Sequence, residues 1–181
     1  SGKPRVVDVI LAPGIQLDPE QLLIFAGSLE NGSEHPLGLA VVAEAQRRGL
    51  KLNTPSDFSA LPGFGVKGIV AGKRVLLGNK GLMVENQIDL SSIDNQLENS
   101  TENGKTPLIV CIDGQVSGFI TAMDTIKPHA KENVLQLKEM GLEVVMLTGD
   151  NFKTAQVVAG QLGIEKVISE VLPSGKVAEI E

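Results

Sequence analysis

Residues 108–121 read LIVCIDGQVSGFIT, two apolar runs that flank Asp113-Gly114. An Asp-Gly pair between two runs of strand-forming residues is among the strongest local signals for a β-hairpin. Upstream, residues 66–71 and 74–77 flank Gly72-Lys73 in a similar way and predict a second hairpin. Two hairpins in succession predict an antiparallel sheet at the centre of this part of the chain.

The residues before this sheet predict one strand and two helices. The strand covers residues 6–11, and Asp18-Pro19-Glu20-Gln21 then has the pattern of a helix start, with Asp as N-cap and Gln three residues later. A second helix is predicted to open at residues 33–36 and to end at Gly49. Residues 88–103 are polar and weakly periodic, which indicates a surface helix and loop.

The hydrophobic period changes near residue 121. Beyond it the hydrophobic pattern predicts a helix over residues 127–140, a strand over 143–147, a helix over 152–162 and a strand over 167–168. This alternation is typical of a parallel sheet with helical crossovers. We therefore predict an α+β domain over residues 1–121, an antiparallel sheet with flanking helices, followed by a partial Rossmann-like α/β segment over residues 122–181.

Composition excludes several classes of protein. The 181 residues include 16 Lys+Arg and 22 Asp+Glu, a net charge of −6, whereas nucleic-acid-binding domains show a basic patch or stripe. A single Cys excludes a disulfide framework and a multi-Cys metal cage. No apolar run approaches the roughly 20 residues that span a bilayer, and no signal segment is visible. A soluble domain without nucleic acid as a partner is expected.

Residues 147–151, LTGDN, stand where a buried strand is predicted to end and a helix to begin. In an open parallel sheet this crevice is where ligands bind, and free amides at the helix N-terminus attract phosphate. The alternative is an ordinary strand–turn–helix cap without a ligand, and the residues alone leave both possibilities open.

Residues 33–36, SEHP, place a carboxylate and an imidazole just ahead of a Pro that starts a helix. Such a pair could bind the edge of a purine while the imidazole stacks on the ring. The alternative is a helix cap with an exposed His.

Residues 63–68, GFGVKG, match G-x-G-x-x-G, but a hairpin follows where the dinucleotide fingerprint requires a helix, so an NAD site is excluded. The glycines still allow the backbone to approach a ligand or another strand closely. Gly78-Asn79 ends the next predicted strand and is expected to face the same space.

Taken together, these segments resemble the cytoplasmic ATP-binding region of heavy-metal-transporting P-type ATPases. The matching segments occur in the family's order at residues 33–37 (SEHPL), 62–66 (PGFGV), 77–79 (LGN), 124–128 (DTIKP), 146–151 (MLTGDN) and 170–173 (EVLP), with Lys176. The first is specific to the heavy-metal branch, and the run at residues 77–83 is more similar to copper pumps than to zinc or cadmium pumps.

The resemblance implies a nucleotide-binding domain up to residue 121 and part of a haloacid-dehalogenase-like phosphorylation domain after it. Glu34 and His35 would hold adenine. The nucleotide would be lined by Gly63, Gly65 and Val66, and the pocket completed by Gly78 and Asn79. In the second domain the transferred phosphate would meet Thr148, Gly149, Asp150 and Lys176.

The family's Asp-Lys-Thr-Gly-Thr segment, whose Asp accepts the phosphoryl group, and its Gly-Asp-Gly-x-Asn-Asp segment, which helps to hold Mg²⁺, do not occur in this sequence. Because phosphoryl transfer depends on that nucleophile and metal, the chain is expected to bind ATP without completing the reaction. The resemblance implies ATP and Mg²⁺ as cofactors and a position as a cytoplasmic domain of an integral membrane protein. Its partners would be the actuator, the membrane helices and the rest of the phosphorylation domain. The alternative is a haloacid-dehalogenase-type phosphatase with a cap domain.

Overall fold

The computed structural model of this protein describes residues 3–124, 129–148 and 152–169. These residues divide into two compact units. The first contains residues 3–100 and 106–124, and the second contains residues 101–105 and those from 129 onward.

The first unit is built on a six-stranded antiparallel sheet, in the order β1-β6-β5-β4-β3-β2. Its strands are β1 (Pro4–Leu11), β2 (Ser56–Leu61), β3 (Gly65–Val70), β4 (Lys73–Gly78), β5 (Thr106–Ile112) and β6 (Gln115–Asp124). Both predicted hairpins are present, and the turn between β5 and β6 is Asp113-Gly114 with φ of 51° and 84°. The other turn is Ala71-Gly72 rather than Gly72-Lys73, because Lys73 already pairs with Val70.

One face of the sheet is covered by α1 (Pro19–Leu29) and α2 (Pro36–Arg47). The capping box predicted for α1 is confirmed: Asp18 Oδ1 accepts from the Gln21 amide at 2.7 Å, and Gln21 Oε1 accepts from the Asp18 amide at 2.9 Å. The apolar side chains of both helices pack on Val66, Leu77 and Leu108. This face carries the larger of the two cores.

The opposite face is covered by α3 (Lys80–Glu85) and α4 (Asp94–Glu102). Leu90, Ile93 and Leu97 are buried against Ile109 and Phe119 of the sheet. The helix predicted within residues 88–103 is α4, and it is polar and lies at the surface as expected, with only Leu97 and Ser100 buried. Leu90 and Ile93 precede α4, in the loop that joins it to α3, so this core is closed by the loop together with Leu97 of the helix.

The second unit contains α5 (Ala130–Glu139), β7 (Val145–Leu147), α6 (Phe152–Leu162) and β8 (Lys166–Ile168). Strands β7 and β8 are parallel, as the alternation of helix and strand predicted. Among the described helices of both units, none has the length and apolar content that a membrane crossing requires.

Candidate functional site

A cleft of about 620 Å³ opens in the first unit beside the N-terminus of α2 and the adjoining parts of β2, β3, β4 and β5. All seven residues that were predicted to bind nucleotide line it: Glu34, His35, Gly63, Gly65, Val66, Gly78 and Asn79. The structure therefore brings together three sequence segments that are separated by up to 45 residues. That these residues contact a ligand stays a prediction.

His35 is the N-cap of α2, and its ring nitrogen Nδ1 accepts a hydrogen bond from the Leu37 amide at 3.3 Å. Pro36, with its fixed φ, follows as the first helical residue. Because Nδ1 accepts, we assign the proton of the neutral ring to Nε2, which is then a donor for an outside partner. The cap interaction thus fixes both the place and the tautomer of an exposed imidazole at the rim of the cleft.

Glu30 is the second polar group at this end of the cleft, and sequence reasoning missed it. It is the C-cap of α1 and only 6% exposed. The Ser33 side chain hydrogen-bonds to its carboxylate, while Oε2 has no partner among the described residues. Burial raises the pKa of Glu30, an effect that the hydrogen bond from Ser33 and the nearby His35 oppose. A buried carboxylate oxygen without a partner is unfavourable, and a ligand that donates a hydrogen bond would satisfy it.

A signal for Glu30 exists in the sequence. Leu23, Ala26 and Glu30 follow one another at spacings of three and four, so the acid continues the buried stripe of α1. A carboxylate on a buried helical stripe is rare unless it is paired, which marks such a position as a candidate site residue.

The position of Glu30 depends on Gly38 of α2. A Cβ atom on Gly38 would lie 2.3 Å from Glu30 Oε2 and 2.8 Å from Ser33 Oγ. The glycine therefore provides the space that the carboxylate occupies.

Gly65 and Gly78 are paired across β3 and β4, and each is required by the backbone of the other strand. A Cβ on Gly65 would lie 2.1 Å from the Leu77 carbonyl oxygen, and one on Gly78 would lie 2.2 Å from the Phe64 carbonyl oxygen. The glycines were expected to allow close approach of a ligand or of another strand. The close approach of the two strands is sufficient to explain glycine at both positions.

Asn79 links the turn at Gly63, between β2 and β3 (the glycine turn), to the start of α3. Its Nδ2 donates to the Gly63 carbonyl at 2.8 Å, and its Oδ1 accepts from the Leu82 amide at 3.0 Å. Its own amide donates to the Phe64 carbonyl at 2.9 Å. Asn79 lies in the cleft wall, and its side chain is already engaged at both ends, so it positions the turn.

The walls of the cleft are mainly apolar. Val66, Leu77 and Leu108 are buried in the larger core and also line the cleft, whereas Phe58 and Phe64 are exposed. An apolar slot with a carboxylate and an imidazole at one end suits a flat ring that carries hydrogen-bonding groups on its edge.

In the second unit, the structure describes only one of the four predicted phosphate-site residues. Thr148 follows β7, and its amide donates to the Ile168 carbonyl at 3.0 Å. Gly149, Asp150 and Lys176 lie outside the described residues.

No group of three His, Cys, Asp or Glu that could hold a metal ion is found within residues 3–124, 129–148 and 152–169. Cys111 lies buried in β5, and burial raises the pKa of its thiol to about 11.

Comparison with known proteins places these features in a family. The family model of haloacid dehalogenase-like hydrolases matches residues 1–181. The chain is 41% identical over 180 residues to a copper-exporting P-type ATPase of Bacillus subtilis, which covers 99% of this chain and 22% of that protein. It is 44% identical over 182 residues to a probable copper-exporting P-type ATPase V of Mycobacterium tuberculosis, covering 97% of this chain and 23% of that protein.

Among solved structures, a zinc-transporting PIB-type ATPase in its E2.Pi state superimposes with a TM-score of 0.84 and 32% identity. The match covers 98% of this chain and 28% of that one. The chain thus spans between a fifth and a quarter of the length of the curated relatives named above.

Proposed function

This chain belongs to the haloacid dehalogenase-like hydrolases and is similar along its whole length to copper-exporting P-type ATPases, and from these two facts we propose that it is the ATP-binding region of a copper pump. The first unit is the nucleotide-binding domain, and residues from about 122 onward belong to the phosphorylation domain. In the intact protein this region lies on the cytoplasmic side and works with the actuator, the membrane helices and the rest of the phosphorylation domain.

The observation that carries the proposal is the unpartnered Oε2 of Glu30 in the cleft wall, next to the fixed imidazole of His35. The exocyclic amine of adenine is a donor that would satisfy this oxygen. His35 Nε2, a donor in the assigned tautomer, suits an acceptor nitrogen of the purine. Glu34 is exposed at the same rim and completes the polar end of the site.

The apolar walls suit the base and the glycine turn suits the remainder of the nucleotide. Val66, Gly65 and Gly78 offer a surface with few side-chain atoms, along which a ribose could pass. Asn79 keeps Gly63 in place beside it. The cleft volume of about 620 Å³ lies within the usual range for cofactor sites.

The second unit would act on the phosphate end of the nucleotide. Thr148, Gly149 and Asp150 would receive the transferred phosphoryl group, and Lys176 would neutralise its charge. Mg²⁺ would accompany the phosphates of ATP; since the described residues contain no cluster of three metal-binding side chains, we assign it no protein ligand. The residues of this chain bind and orient ATP, and an Asp outside the 181 residues would accept the phosphoryl group.

Calorimetric titration of the 181-residue chain with ATP tests the proposal. The expected dissociation constant lies between about 10 µM and 1 mM, which corresponds to about 4 to 7 kcal/mol. His35→Gln should weaken binding by about 1 to 2 kcal/mol, the value of one hydrogen bond or stacking contact. Gln46→Ala, at the exposed far end of α2 and outside the cleft, is a matched control that should bind as the wild type does. Absence of heat with ATP at millimolar concentration would contradict the proposal.

A further inference from the structure

Strand β2 contains an irregularity that decides which way one aromatic residue points. Ser56 pairs with Ile69, and continuation of that register would set Phe58 opposite Lys67, an exposed residue of β3. Instead, Ser59 pairs with Lys67 and Ala60 with Val66, so one extra residue is accommodated between Ser56 and Ser59. This is a β-bulge, and bulges are common beside functional sites because they redirect a side chain.

The bulge moves Phe58 to the other face of the sheet. In the register that holds after the bulge, Phe58 falls opposite Gly68, on the same face as Ala60 and Val66. Ala60 and Val66 both line the cleft, and so does Phe58. Without the extra residue the phenyl ring would stand on the face that turns away from the cleft.

Two residues make the bulge possible. Asp57 has a φ of 50°, a left-handed conformation that Asp tolerates better than most residues. A Cβ on Gly68 would lie 3.1 Å from the Ser56 carbonyl oxygen and 3.4 Å from Phe58 Cα, so the absence of a side chain there gives the bulged strand room.

Phe58 remains 48% exposed, although its face of the sheet carries the larger core. A ring held at the wall of an apolar cleft, half of its surface free, provides a stacking surface that is in place before a ligand arrives. The polar end of the same cleft, at Glu30 and His35, has hydrogen-bonding groups for the edge of a ring.

We propose that Phe58, redirected by the bulge at Asp57, is the residue that stacks on the base of the bound nucleotide. The inference rests on the proposed function and assigns one further binding residue to that site. Because Phe58 would contact only the base, its contribution to the binding free energy should be independent of the number of phosphates.

The chain contains no Trp and no Tyr, so Phe58→Trp creates a single fluorescent indole in the cleft wall. Stacking on adenine should quench its emission by more than half at saturating ATP, whereas inorganic tripolyphosphate should leave it unchanged. The matched control is Leu39→Trp, at a residue of the same unit that is 54% exposed and outside the cleft, and its emission should not respond to ATP.

Phe58→Ala provides the second measurement, by calorimetry with ATP, ADP and AMP. We expect all three dissociation constants to rise by the same factor, about 5- to 20-fold, because loss of a base–aromatic contact has effects of this size. Leu39→Ala should change none of them. Amide NMR spectra verify that each variant is folded, and Phe58→Leu replaces Phe58→Ala if the latter is not.

The outcomes separate this inference from the function it rests on. If the wild-type chain does not bind ATP, the proposed function fails. If the wild type binds ATP while Phe58→Ala binds it equally well, or while the indole of Phe58→Trp is not quenched, the assignment of Phe58 is overturned and the nucleotide site stands. A loss that grows with the number of phosphates would also overturn it.

Discussion

Gly38→Ala separates the stability of the first unit from its ability to bind nucleotide. Gly38 is in the first turns of α2 and does not line the cleft, so the substitution leaves the cleft wall itself unchanged. Replacement of a helical Gly by Ala ordinarily stabilises a protein by about 0.5 to 1 kcal/mol. Here the new methyl carbon would lie 2.3 Å from Glu30 Oε2 and 2.7 Å from Glu30 Cδ, so the carboxylate must move by about 1 Å or more.

Movement of the carboxylate has two consequences of opposite sign. It forfeits the hydrogen bond from Ser33, but it also relieves the burial that raises the pKa of Glu30. We therefore expect the free energy of unfolding to stay within about 1 kcal/mol of the wild type, because these terms and the helical gain offset one another. The affinity for ATP should fall about tenfold, or about 1.4 kcal/mol, since the acceptor has left its place.

Urea denaturation gives the stability, and calorimetry gives the affinity. Gly160→Ala in α6 is the matched control, because its Cβ would meet nothing within 4 Å, and it should show no loss of ATP affinity. In a Glu30→Ala background, Gly38→Ala should cause no further loss of affinity, since the oxygen it displaces is gone. Wild-type affinity in the single variant Gly38→Ala would refute the role given to Glu30.

Four further predictions concern stability and chemistry. The hydrogen bond from Arg47 lowers the pKa of Glu44 from 4.5 to about 2, so the ionised Glu44 should stabilise the chain above pH 4.5, and this effect should be lost as the pH falls toward 2. In urea denaturation, Glu44→Gln should therefore be less stable than the wild type by about 1 kcal/mol at pH 7, and the difference should vanish near pH 2. Asn79→Ala removes the cap of α3 and the bond to the glycine turn, and should cost about 1 to 2 kcal/mol in denaturation together with weaker ATP binding. Gly65→Ala, with its Cβ 2.1 Å from a backbone oxygen, should cost more than about 3 kcal/mol, whereas Gly63→Ala, with open space around it, should cost about 1 kcal/mol for its positive φ. With Mg²⁺ and γ-labelled ATP the chain should form no acid-stable phosphoprotein on a gel, and a labelled internal Asp would contradict the assignment of the nucleophile to a segment outside it.

Much of the first unit could be predicted because local signals agreed with the final fold. Asp113-Gly114 fits the turn between β5 and β6, and Asp18 with Gln21 forms the capping box of α1. Strand β5 is apolar from Leu108 to Ile112 because both of its faces are buried there, Leu108 and Val110 in one core and Ile109 in the other. In these places sequence and tertiary structure require the same residues.

The parts that sequence reasoning missed depend on contacts between distant residues. Strand β2 was not recognised, because the bulge at Asp57 disrupts the alternation that identifies a strand. From the sequence alone, Glu30 lies at the end of a helix, where an acid is expected to be exposed. Its burial becomes evident only in the structure, where the first turn of α2 packs over it. The pairing of Gly65 with Gly78 likewise requires the register of β3 and β4, which the G-x-G-x-x-G pattern does not contain.

The central claim, that this cleft binds ATP, is tested most directly by titration of the ¹⁵N-labelled chain with ATP, followed by amide NMR. The account predicts that the largest chemical-shift changes fall on residues 34–35, 63–66 and 78–79, which line the one cleft. Changes that leave these amides unaffected and fall instead on the second groove of the first unit, between β1 and the Arg47 end of α2, would contradict it.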